Sequence, residues 1–198
     1  MMVYKRDTME YKLNRAWAEI DLDAIAYNTR EIKKLTGKNV EMMGVVKADA
    51  YGHGVLEVVS TLLDNGVTQL AVSMLDEAIQ IRKMGIGVPI LILSYTDPAR
   101  ADEVILNEVT QTVFSLDLAE ALSAAAVRLG RKAKIHVKVD TGMSRVGFMP
   151  GHTAVKSIME IAKMPGIVIE GIFTHFASAD EADRSYTMMQ FERFMSLY

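Results

Sequence analysis

Apolar positions along this chain fall into short runs, and the stretches between them carry helical spacing. The runs at 42–47, 69–73, 89–93, 110–114, 134–139 and 167–174 predict strands. The intervening segments at 55–64, 76–84, 98–107, 118–129 and 153–163 predict helices, with a last helix over 184–198. Ahead of these, 16–22 reads as an N-terminal strand, followed by a helix capped by Asp23 and stopped at Gly37. Glycine or proline marks several junctions, among them Gly66, Gly85, Pro89, Gly130 and Pro165.

The runs Ile90-Leu91-Ile92-Leu93 and Ile167-Val168-Ile169 are apolar on both faces. That pattern suits parallel strands covered by helices, whereas a sheet with one wet side would alternate. Repeated strand–helix units therefore imply an α/β fold with a parallel sheet. About six such units follow the first strand. A closed (β/α)8 barrel needs eight, and typically ~250 residues, so the pattern reads as an incomplete barrel.

Composition narrows the picture without directing it. The 198 residues are 50% apolar and 24% charged, ordinary for a globular protein. A formal net charge of −3 gives no electrostatic reason to expect nucleic acid or an anionic membrane as partner. There is no run of about 18 apolar residues, and the polar segment from Met1 to Asn14 lacks the apolar centre of a signal peptide. The absence of cysteine excludes disulfides and thiolate chemistry. Together these lead us to expect a cytoplasmic protein with a small-molecule substrate and no metal.

Candidate chemistry centres on Lys47, in the run Val45-Val46-Lys47-Ala48-Asp49-Ala50-Tyr51-Gly52-His53-Gly54. An ammonium at the end of a buried strand loses water without an obvious partner, and burial favours the neutral amine. A neutral amine is a nucleophile able to form a Schiff base with a carbonyl. The same placement also suits a lysine that snorkels into water. The glycines that follow predict a tight turn where a ligand could approach the backbone.

This run resembles the pyridoxal phosphate (PLP) attachment segment of the bacterial alanine racemase family. Three further stretches match that family in order and spacing. They are Ala16-Trp17-Ala18-Glu19-Ile20-Asp21-Leu22, Lys138-Val139-Asp140-Thr141-Gly142-Met143-Ser144-Arg145-Val146-Gly147 and Glu170-Gly171-Ile172-Phe173-Thr174-His175-Phe176-Ala177. The resemblance covers residues 16–198, leaving 1–15 as an N-terminal extension. It implies that Lys47 carries PLP and serves as one of two opposed acid–base groups, and that Tyr51 reaches the cofactor phosphate. It implies that Arg145 contacts the cofactor ring oxygen and lies beside the substrate carboxylate, that His175 belongs to the site's hydrogen-bond network, and that Lys138 is a candidate for carbamylation, turning its repulsion of Arg145 into attraction. His53 reads as a turn histidine, and His136 and His152 have no support as site residues. The cluster Asp180-Glu181-Asp183-Arg184 reads as a solvated helix start, where acids are favoured anyway.

The family fold is a (β/α)8 barrel followed by an all-β domain, in a chain roughly twice as long. On that comparison this sequence reads as the N-terminal portion of a homodimeric enzyme that interconverts L- and D-alanine for peptidoglycan. The opposed tyrosine, supplied by the β domain of the second subunit, would lie outside it, and the 198 residues alone are expected to be inactive. Two alternatives share the fold: a serine or broad-specificity amino acid racemase, and a non-catalytic PLP-binding carrier.

Overall fold

Asp21, not Asp23, caps the first helix in the computed structural model, which describes residues 17–197. Its Oδ1 accepts the Ala24 N–H at 2.9 Å, and α1 runs Leu22–Thr36. Asp23 falls instead in the first turn, where a carboxylate faces the positive end of the helix dipole. The strand expected over 16–22 does not form among the described residues: 17–21 are unpaired as strand and Leu22 is already helical. An extended segment becomes a strand only when a neighbour supplies its backbone hydrogen bonds, and Ala16 lies outside the described residues.

The chain divides into two units at Leu91/Ile92. The first holds α1, β1 (Met43–Val45), a single turn α2 (Lys47–Gly52), α3 (Val55–Asp64), β2 (Gln69–Val72), α4 (Leu75–Lys83) and the start of β3 (Ile90–Ile92). β1 and β2 run parallel, with Gly44 opposite Leu70. Leu70, Ala71, Val72, Val59 and Ala78 are fully buried and form this unit's core.

In the second unit a 3-10 turn (Pro98–Arg100) leads into α5 (Ala101–Leu106), β4 (Thr110–Val113), α6 (Leu116–Leu129) and β5 (Ala133–Lys138). α7 (His152–Ile161), β6 (Ile167–Phe173) and α8 (Ser185–Met195) complete it. β4, β5 and β6 are parallel, and a register shift between Ile135 and His136 interrupts the β5–β6 ladder. Strand order follows chain order from β1 to β6, so the expected parallel α/β architecture of six strand–helix units is present.

Every residue of β3 and β4 is buried, as helix-covered parallel strands require. β6 departs from its sequence pattern: Val168 is 36% exposed although the run around it is apolar on both sides. β6 is last in the strand order and has a ladder neighbour, β5, along one side, so part of its surface stays open.

Candidate active-site segments

In the first unit β1 ends at Val45, earlier than the apolar run suggests, and Val46 is fully packed with its N–H donated to Ala71 O at 2.8 Å. Lys47 then opens a turn of the wrong hand. Ala48, Asp49, Ala50 and Tyr51 have φ between +52° and +57° and ψ between +34° and +51°, a left-handed helical turn that Gly52 closes at φ +81°. For residues with a Cβ this conformation costs roughly 1–2 kcal/mol each, so the surrounding contacts must hold it.

They do so at both ends. The Ala48 N–H donates to Glu77 Oε1 at 2.6 Å, while Glu77 Oε2 accepts the N–H groups of Ser73 and Met74 at 2.7 and 3.0 Å. Asp49 Oδ1 accepts the Val55 N–H at 2.8 Å, capping α3 from within the turn. Inside it, Ala50 N–H donates to Val46 O at 3.0 Å and Gly54 N–H to Asp49 O at 3.0 Å. Ala50 packs into the core from within the turn, while Lys47 at its start is half-buried. Tyr51 is 58% exposed, and Lys47 Nζ lies 5.7 Å from its ring centroid, within cation–π range. His53 is bonded within the turn, Nδ1 lying 2.8 Å from Ala50 O, in keeping with its reading as a turn histidine.

In the second unit Lys138 ends β5 with only 4% of its surface exposed. Its Nζ donates to Val139 O at 2.9 Å and sits 5.5 Å from the Phe173 ring centroid. Burial pushes this ammonium below the usual lysine pKa; the Asp140 carboxylate pulls it back up, and the Arg145 charge pushes it further down. Arg145 is thus within electrostatic reach of Lys138, although it is itself exposed.

Between them the chain loops out and returns to the strand end, where Phe148 N–H donates to Lys138 O and Asp140 N–H to Phe148 O, both at 2.9 Å. Asp140 organises the loop. Its Oδ1 accepts Gly142 N–H at 3.0 Å and Ser144 N–H at 2.9 Å, and its Oδ2 accepts Arg145 N–H at 2.9 Å. Burial pushes the Asp140 carboxyl up, but these three donors and Lys138 outweigh it, and the net shift is downward. A carboxyl whose folded pKa is depressed adds stability that is complete above its unfolded pKa, about 3.9, and is lost as pH falls through the folded value. Urea unfolding between about pH 5 and pH 2 should therefore show stability falling with acid, and Asp140→Asn should make the fall shallower.

His175 follows β6. Its side chain is exposed, and its carbonyl accepts the Gln190 Nε2–H at 3.0 Å. Gln190, fully buried on α8, also donates to Thr141 Oγ1 at 3.2 Å and accepts the Ala177 N–H at 2.9 Å. On the same helix face Tyr186 Oη donates to Gly142 O at 2.7 Å and Arg193 Nη1 to Thr141 O at 3.1 Å. α8 thus braces both the Thr141–Gly142 loop and the His175 segment. Gln190→Leu should cost about 2–3 kcal/mol in urea unfolding, because it strands polar groups that the amide now satisfies. Hydrogen exchange at Ala177 should speed up with it.

Neither Glu77, Asp140 nor Gln190 stood out in the sequence. An aspartate followed two residues later by glycine at a strand end is a signal for a side-chain-capped turn and would have flagged Asp140. The spacing of Tyr186, Gln190 and Arg193 at helical intervals would have placed them on one face. Around Asp183 the acidic cluster behaves as a helix start, with Oδ1 accepting the Ser185 N–H at 2.9 Å. Among the described residues no three His, Asp or Glu side chains gather to hold a metal ion, and no helix is long and apolar enough to cross a membrane.

Comparison with known proteins places this arrangement. Residues 20–198 match the family model described as "Alanine racemase, N-terminal domain". The alanine racemase of Clostridium perfringens is 48% identical over 185 residues, 93% of this chain and 48% of that protein. That of Clostridium tetani is 48% identical over 183 residues, 92% of this chain and 47% of that protein. The chain therefore spans about half the length of the curated relatives it matches. Among solved structures, the alanine racemase of Clostridium difficile 630 superposes with a TM-score of 0.88 at 44% identity, covering 91% of this chain and 47% of that one. A histidine racemase from Leuconostoc mesenteroides superposes at 0.84 with 31% identity, covering 89% and 47%. With the family model matching nearly all of it, this chain belongs to the alanine racemase family, as its N-terminal domain.

Proposed function

We propose that this chain is the PLP-binding half of a racemase that interconverts L- and D-alanine. The observation that carries the reading is Lys47: a primary amine on a rigid left-handed turn at a strand end, half-buried and so reachable, with the Tyr51 ring beside it. That donor set suits the cofactor. The amine can bind its carbonyl, and the exposed Tyr51 phenol can donate to a phosphate oxygen. From the second unit, the fixed charge and planar fork of Arg145 suit a phenolate or carboxylate, and His175 would join the hydrogen bonding around the ring.

When bound, PLP would supply the electron sink that makes removal of a proton from an amino acid α-carbon feasible. The chain's own work is to bind, orient and exchange protons. Lys47 Nζ would hold the cofactor and, once released from it, take or return the α-proton on one face. Inversion needs a second acid–base group on the opposite face, which we assign to a tyrosine of a partner subunit in a homodimer. Lys138 would carry a carbamate. Its burial and depressed pKa favour the neutral amine that reacts with carbon dioxide, and a carbamate would attract Arg145. The Lys138 peptide should then be heavier than its unmodified form by one carbon dioxide, the excess disappearing on acid treatment. D-alanine from a cytoplasmic enzyme of this kind would feed peptidoglycan.

The test is to supply the full-length protein, with the partner tyrosine in place, with PLP and L-alanine and to follow D-alanine by chiral chromatography; the 198 residues alone should attach PLP without turnover. Covalent attachment without turnover in the full-length protein would favour a cofactor carrier. The similarity to a histidine racemase at 31% identity supports a second reading, the same chemistry on another side chain. L-serine and L-histidine belong in the same assay, and a preference for either would shift the substrate assignment.

A further inference from the structure

We infer that Glu77 is a positioning residue for Lys47, acting through the backbone of the left-handed turn. The inference rests on the reading that Lys47 holds PLP. Glu77 never reaches the lysine amine; it takes the N–H of Ala48, the residue directly after it, at 2.6 Å. Its other oxygen takes Ser73 and Met74 N–H at the end of β2. One carboxylate, 29 residues downstream of Ala48, therefore ties the start of the turn to the end of the neighbouring strand.

The turn needs such a clamp because no glycine relieves its first four left-handed residues, Ala48 to Tyr51. Freed at Ala48, the backbone would relax toward the right-handed or extended conformations that alanine and aspartate favour. Lys47 Nζ and the Tyr51 ring, now 5.7 Å apart across the turn, would then lose their fixed relation. Both carboxylate oxygens are used as acceptors, so glutamine cannot replace glutamate. Its NH2 would face an N–H on one side or the other. Aspartate is one methylene too short to span both strand ends.

Three variants, Glu77→Ala, Glu77→Gln and Glu77→Asp, test this against the unsubstituted protein at a temperature where urea titration shows each fully folded. Amide exchange at Ala48–Tyr51 is one readout. The rate at which PLP becomes trapped on Lys47 by borohydride is the other. We expect exchange in the turn to rise about ten- to hundredfold beyond any change at β2 or α3, the effect of losing a hydrogen bond to a charged acceptor. Trapping on Lys47 should slow by a similar factor. Exchange that rises equally throughout the unit, or trapping at the original rate in Glu77→Ala, would overturn the assignment. If the unsubstituted protein does not trap PLP on Lys47, the proposed function fails, while exchange in the turn still decides whether Glu77 is the clamp.

Discussion

Lys47→Ala should abolish covalent attachment of PLP and lower racemisation by at least the 10²- to 10⁴-fold typical of losing a positioned acid–base group. The loss should exceed that range, since on the proposed reading the same amine would also anchor the cofactor. Lys47→Arg should do no better, because guanidinium stays protonated and cannot react with a carbonyl. The expected observation in the unsubstituted protein is a visible absorption band on adding PLP, discharged by borohydride, with the reduced adduct on the peptide containing Lys47. Both variants should lack band and adduct. The other lysine singled out in the sequence, Lys138, is 4% exposed and donates to Val139 O, so its amine is far less open to a cofactor aldehyde than that of half-buried Lys47. An adduct mapped to Lys138 or to any surface lysine would defeat the assignment of Lys47.

The strand–helix alternation was legible because buried parallel strands are apolar throughout and punctuated by glycine and proline. Ile90-Leu91-Ile92 and the periodic segment at Val55–Asp64 both fold as their patterns indicate. What the pattern could not carry is pairing and hand. The segment 16–22 looks extended, but a strand exists only with a partner, and Asp21 instead serves α1. Ala48 and Ala50 have no local preference for a left-handed turn, and the side-chain bonds made at it by Glu77 and Asp49 join residues 29 and 6 positions apart, beyond what a local pattern carries. Lys47 lies two residues past the end of β1 at Val45 and is half-buried, between the buried strand-end lysine and the snorkelling one that its place in the sequence allowed. The Arg145 charge acts on Lys138 because the loop between Asp140 and Phe148 returns to the strand end.

Gly147→Ala should destabilise the second unit by about 3–5 kcal/mol and disorder the Arg145 loop with it. Gly147 has φ +135°, and a Cβ there would sit 2.5 Å from Asp140 N and 2.7 Å from Val139 C. Both are backbone atoms of the pinned strand end, where Val139 N–H donates to Phe173 O and Asp140 N–H to Phe148 O at 2.9 Å each. No side chain can swing aside, so the ladder itself must open. Overpacking of this kind costs about 1–3 kcal/mol, and the left-handed backbone adds strain of about the same size. Gly151→Ala is the matched comparison: φ is +141°, but nothing lies within 4 Å of the added Cβ, leaving only the conformational part. Urea unfolding of the two variants isolates the collision as their difference, expected near 2 kcal/mol. If the loop opens as argued, Gly147→Ala should also lose protection at the Ser144 and Arg145 amides that Asp140 now holds, whereas Gly151→Ala should keep it. Equal stability and equal protection in the two variants would mean that the return of the chain to β5 is not what holds Arg145 in place.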